Sequence, residues 1–82
     1  MPRKAQHHWL YNLAPPLLRK MREDAHLTQR QIGIKLNKPQ SWVYNCETAN
    51  RRVDVCEFIL WAQACGVDPV KAVKTLATLM RR

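Results

Sequence analysis

The chain has 82 residues, room for one small domain that buries roughly 60–65% of its unfolded surface. Its apolar fraction of 46% supplies a core, but no uninterrupted apolar run is long enough to span a bilayer and no leader peptide is visible. Fourteen Lys and Arg against six Asp and Glu give a formal charge of +8, which points to a polyanion, nucleic acid before an anionic membrane.

Residues 1–14, MPRKAQHHWLYNLA, form an N-terminal basic and apolar segment that shows no helical period. Arg3 and Lys4 are read as either an arm on DNA or a basic tail. The remaining 15–82 are expected to be all-α, because apolar residues recur at helical spacing and only two glycines are present. A first helix is expected to open at Pro15-Pro16, which suit a first turn, with Leu17, Leu18, Met21 and Ala25 as its apolar stripe. A second begins at Thr28, where Thr28-Gln29-Arg30-Gln31 is a capping box, and turns Ile32 and Leu36 inward. It stops at Asn37, which tolerates a left-handed backbone.

The third helix follows within two or three residues, with Pro39 in its first turn and Val43 and Cys46 buried. The fourth starts on a second capping box, Asp54-Val55-Cys56-Glu57, places Phe58, Ile59, Ala62 and Cys65 inward, and stops at Gly66. The fifth opens on Asp68-Pro69 and lines one face with Val70, Val73, Leu76, Ala77 and Met80. That arrangement leaves Leu60 and Trp61 without an inward position. They are read as an exposed apolar patch that forms a dimer interface with Val73, Leu76 and Met80, or as packing against Trp9 and Tyr11.

Three cysteines, Cys46, Cys56 and Cys65, fall in apolar phases without the spacing of a zinc site, and are read as small buried hydrophobes. No metal or cofactor is expected. Neither paired carboxylates, a glycine-rich phosphate loop nor a nucleophile–base set stands out, so the chain is not read as an enzyme.

The informative stretch is Gln29 to Glu47, QRQIGIKLNKPQSWVYNCE. Two helices joined by so short a turn must cross steeply. Gly33 supplies a small residue at the crossing, and Asn37 supplies the turn. Ile32, Leu36, Val43 and Cys46 lock the pair, which leaves Gln40, Ser41, Tyr44 and Asn45 on the outer face. From Thr28 to Arg52 the basic residues Arg30, Lys35, Lys38, Arg51 and Arg52 face a single acid, Glu47. A carboxamide presents a donor and an acceptor side by side, the pattern of adenine N6 and N7, so Gln40 and Asn45 suit base reading. Trp42 is read as a half-buried packing residue, with stacking on a base as the alternative.

The stretch from Leu17 to about Val70 resembles the Xre family of helix-turn-helix proteins, the phage repressor and Cro class, through its LTQ, KPQS and RRVDVCEF segments. The resemblance implies five helices, with the third in the major groove and dimers on near-palindromic double-stranded operators. It implies base reading by Gln40, Ser41, Asn45 and neighbouring Tyr44, and backbone contacts from Gln29, Lys38, Asn50, Arg51 and Arg52. It also implies a charged pair, Arg22 with Glu47, tying the first helix to the end of the third. The family often carries Gly where this chain has His26, Asn37 and Ala49. Ala49 is the awkward one, so Asn50 is expected to take the left-handed position.

The expectation is therefore a sequence-specific DNA-binding regulator, a homodimeric repressor of a phage or other mobile element, cytoplasmic and on the nucleoid. It takes no small-molecule ligand and touches no membrane. An antitoxin-like partner-binding module and the controller of a restriction–modification operon are the alternatives.

Overall fold

Five α-helices and one preceding turn of 3-10 helix (Tyr11–Leu13) make up the computed structural model, which describes residues 11–81. The readings of Arg3, Lys4, Trp9 and Leu10 lie outside the described residues. The helices are α1 (Ala14–Asp24), α2 (Gln29–Leu36), α3 (Gln40–Glu47), α4 (Val55–Ala64) and α5 (Pro69–Met80), and no strand occurs among the described residues.

Local chemistry sets most boundaries. Pro15 and Pro16 sit in the first turn of α1, where a missing N–H is harmless. At α2 the Thr28 hydroxyl accepts from the Gln31 amide at 3.0 Å, and the Gln31 side chain accepts from the Thr28 amide at 2.8 Å. Asp54 and Glu57 form the same reciprocal pair at α4, and Asp68 caps α5 through Val70 N–H at 2.9 Å. Pro39 lies one residue earlier than expected, at the N-cap of α3 rather than inside it.

The α2–α3 corner depends on two residues. Asn37 takes φ +56°, the left-handed conformation expected of it. Gly33 lets the backbones close: a Cβ there would lie 2.7 Å from the Lys38 carbonyl oxygen. After α3 the left-handed position falls on Ala49, at φ +65°, and not on Asn50. The chain must reverse immediately after Thr48, and both Asn50 and Arg51 amides then close onto the Asn45 carbonyl at 3.0 and 3.1 Å. Those two bonds hold Ala49 in a conformation that its Cβ disfavours.

The core lies where α1, α2, α3 and α4 converge, with α5 packed on α4, and Leu18, Ile32, Val43, Cys46, Trp61 and Ala62 are wholly buried. Trp61 corrects the sequence expectation. It is buried, not an exposed interface residue, and its indole N–H donates to the Leu18 carbonyl at 3.0 Å. In α4 every position except Glu57 and Gln63 is apolar, so composition could not set the phase. The inward stripe is Phe58, Trp61 and Ala62, with Cys65 partly covered, while Ile59 is only half-buried and Leu60 stays exposed.

α5 is rotated in the same sense. Ala72 is its buried residue, and Leu76 packs against the same core. Val70 and Ala77 face solvent, and Val73 is 47% exposed. Only Cys46 is fully buried among the three thiols; Cys65 is half-buried and Cys56 is exposed. Burial pushes the Cys46 and Cys65 thiols up to about 11, which keeps them protonated and unreactive near neutrality.

Candidate nucleic-acid interface

Buried Val43 and Cys46 fix the rotation of α3, so its opposite edge must project. Gln40, Ser41 and Tyr44 are exposed there, and Asn45 is half-buried beside them. The structure thus brings all of the expected base-reading residues to one edge of one helix.

Behind that edge runs a chain of polar contacts that begins in α1. Arg22 donates to both carboxylate oxygens of Glu47, at 2.6 and 3.0 Å, and to the Leu27 carbonyl at 2.8 Å. The two side chains are only 11% and 3% exposed, so the pair is largely shielded from solvent. Glu47 hydrogen-bonds Arg22 closely enough to raise the guanidinium pKa further above its ordinary value. One Glu47 oxygen also accepts from the Gln29 amide at 3.1 Å, and the Gln29 oxygen accepts from the Gln40 amide at 3.3 Å. Gln29, read from sequence as a backbone contact, is therefore held by a buried ion pair on one side. On the other it orients the first residue of α3. Gln40 keeps a second amide hydrogen and its oxygen for an external partner.

The flanking cations divide into two kinds. Lys38 and Arg52 are exposed, Lys38 with its ammonium 5.3 Å from the Trp42 ring centroid and Arg52 with its guanidinium 5.4 Å from that of Tyr11. Arg51 is of the second kind. Its guanidinium is engaged within the protein, bidentate to Glu57 at 3.1 and 3.2 Å, bonded to the Arg52 carbonyl at 2.8 Å and 5.1 Å from the Trp42 ring. The hydrogen bond to Glu57 raises its pKa. Within the protein Arg51 thus braces the loop that follows α3. Asn50 is exposed and donates to the Thr48 hydroxyl at 3.1 Å.

Trp42 is half-buried, as the sequence reading had it, but its cation contacts and the bonds of Tyr11 went unread. Tyr11 accepts from the Val53 amide at 2.7 Å and donates to the Arg51 carbonyl at 3.5 Å, pinning the loop that follows α3. Burial raises its phenol pKa, so the hydroxyl stays protonated and able to donate. Trp42 lies against both Lys38 and Arg51. Among the described residues no group of three or more His, Cys, Asp or Glu is placed to hold a metal ion. No helix there is long and apolar enough to cross a membrane.

Comparison with known proteins agrees with this geometry. The family model of the helix-turn-helix domain matches residues 17–73. Among solved structures, an XRE-family like protein from Pseudomonas syringae pv. tomato is 34% identical, with a TM-score of 0.79 and 85% of each chain covered. The clp gene regulator ClgR from C. glutamicum is 19% identical over 94% of this chain and 99% of its own, with a TM-score of 0.75, a likeness of fold. No curated protein matches the chain. With five helices, a steep α2–α3 corner and a polar outer edge on α3, the chain belongs to the XRE family of helix-turn-helix DNA-binding proteins.

Proposed function

We propose that the protein is a transcriptional regulator that reads the major groove of double-stranded DNA with α3, binding as a homodimer and acting as a repressor by occupancy. The observation that carries this reading is the Gln29–Gln40 couple, two amides joined at an exposed edge and anchored through Glu47 to Arg22. An amide held in this way loses less freedom on meeting a base than a free side chain would, and it keeps the donor–acceptor pair that adenine requires. Gln40, Ser41, Tyr44 and Asn45 are the proposed base readers. Gln29, Lys38, Asn50 and Arg52 are the proposed backbone contacts.

Selection of duplexes from a random pool gives the operator, and Gln40→Ala then tests the assignment. Loss of one bidentate amide contact is worth roughly 1–3 kcal/mol, a fall of about 5- to 150-fold on the selected site. Binding to random duplex stays within about two-fold. Equal losses on both DNAs would show that Gln40 does not read bases.

For the dimer, burial of Trp61 moves the proposed contact to the side where Val73, Leu76 and Met80 meet Val55 and Phe58. These residues line an open apolar groove of about 280 Å³. Val55 is 73% exposed, and exposed Leu60 adds to the apolar surface of α4. A two-fold axis through this groove sets the apolar faces of two copies against each other. Such a dimer suits half-sites one helical turn apart, about 34 Å. Val73→Asp is expected to halve the mass measured by light scattering and to weaken operator binding more than ten-fold. A wild-type monomer that becomes soluble only with a co-expressed neighbour would favour the antitoxin-like reading of the same groove.

A further inference from the structure

Trp42 is the third residue of α3, and its indole has a feature that packing alone does not explain. Its N–H is buried and, among the described residues, has no hydrogen-bond partner. A phenylalanine would fill much of the same space without a desolvated donor, so the indole is not retained for its N–H. What the larger ring supplies is its face. The Lys38 ammonium lies 5.3 Å from the centroid and the Arg51 guanidinium 5.1 Å, both within the range of a cation–π contact, for which tryptophan is the strongest of the aromatic side chains.

The ring is itself fixed. The Trp61 ring centroid lies 6.1 Å away at a tilt of 38°, and Trp61 is buried and hydrogen-bonded to α1. Arg51 is held by Glu57. Lys38, by contrast, forms no ion pair with a carboxylate among the described residues. It sits in the turn that delivers the chain into α3, beside Gln40. A lysine side chain is long and flexible, and an unsupported one would lose much rotational freedom on meeting a phosphate.

We propose that Trp42 is a positioning residue for DNA binding: its ring holds the Lys38 ammonium at the edge of α3, ready for a phosphate. This rests on the DNA-reading assignment of α3 and extends it to a residue that touches neither base nor phosphate. The effect is on affinity and not on sequence preference, because a phosphate carries no sequence information directly.

The test is a mutant cycle. Trp42→Leu, Trp42→Phe, Lys38→Gln and the double variant Trp42→Leu/Lys38→Gln are titrated at one salt concentration against a selected operator and a random duplex, with circular dichroism as the check on folding. Trp42→Leu weakens both DNAs by a common factor of roughly two- to five-fold, the size of one cation–π contact. Trp42→Phe recovers most of that loss, and in the Lys38→Gln background Trp42→Leu adds nothing further. Equal losses for Leu and Phe, or a Trp42→Leu effect undiminished by Lys38→Gln, would overturn the proposal. Should Trp42→Leu fail to fold, Trp42→Met with and without Lys38→Gln takes its place: a loss that vanishes with Lys38 supports positioning, and a loss that persists, or no loss at all, refutes it. A wild-type protein that binds neither duplex overturns the DNA-reading assignment itself, and the positioning role with it.

Discussion

Glu47→Ala is expected to lower stability by roughly 3–5 kcal/mol, because it leaves the shielded Arg22 guanidinium without its counter-charge. For a domain of this size about 4–8 °C of melting temperature accompanies each kcal/mol, so the midpoint should fall by upward of ~12 °C. Arg22 would keep only its bond to the Leu27 carbonyl. Gln29 would lose its acceptor at the same time and with it the anchor for Gln40. A companion variant separates charge from packing. Arg22→Met/Glu47→Leu removes both charges and fills the space with apolar atoms, and should be more stable than Glu47→Ala while still losing operator preference. A Glu47→Ala midpoint within about 3 °C of wild type would mean that the pair contributes nothing to folding.

Trp61→Ala is expected to be as severe, about 3–5 kcal/mol, through the cavity left among α1, α3 and α4 and the lost bond to Leu18. The mass in solution, measured on the folded fraction at low temperature, should not change. Trp61→Phe should cost less, since most of the ring volume remains. If Trp61→Ala kept its melting temperature and instead dissociated an oligomer, the assignment of this residue to the core would be wrong.

The difference between what the residues announced and what they concealed has a physical basis. Both capping boxes, the proline start of α1 and the left-handed Asn37 were readable because each depends on neighbours within four positions. The XRE likeness, carried by the LTQ, KPQS and RRVDVCEF segments, supplied the order of helices and the edge of α3. Where local pattern was degenerate, the reading failed. In α4 apolar residues surround the helix almost completely, and only the shape of the space beside Leu18 selects Trp61 over Ile59. In α5 the buried residue is Ala72, whose small size carries little weight in a hydrophobic stripe.

Ala49 was misjudged for a related reason, and the pairing of Arg51 with Glu57, six positions on, went unread. Ala49 accepts a left-handed backbone because two amides bond to one carbonyl behind it. The link from Gln29 to Glu47 spans 18 residues, and the two meet only when α2 and α3 have docked.

The phenol of Tyr11 has a consequence for the loop beside α3. It reaches across 40 and 42 positions to the backbone of Arg51 and Val53, so the loop is tethered to the beginning of the described chain. The course of the loop thus depends on a side chain outside both helices that it joins. Withdrawing Tyr11 would remove both bonds and loosen that loop from a distant point in the sequence.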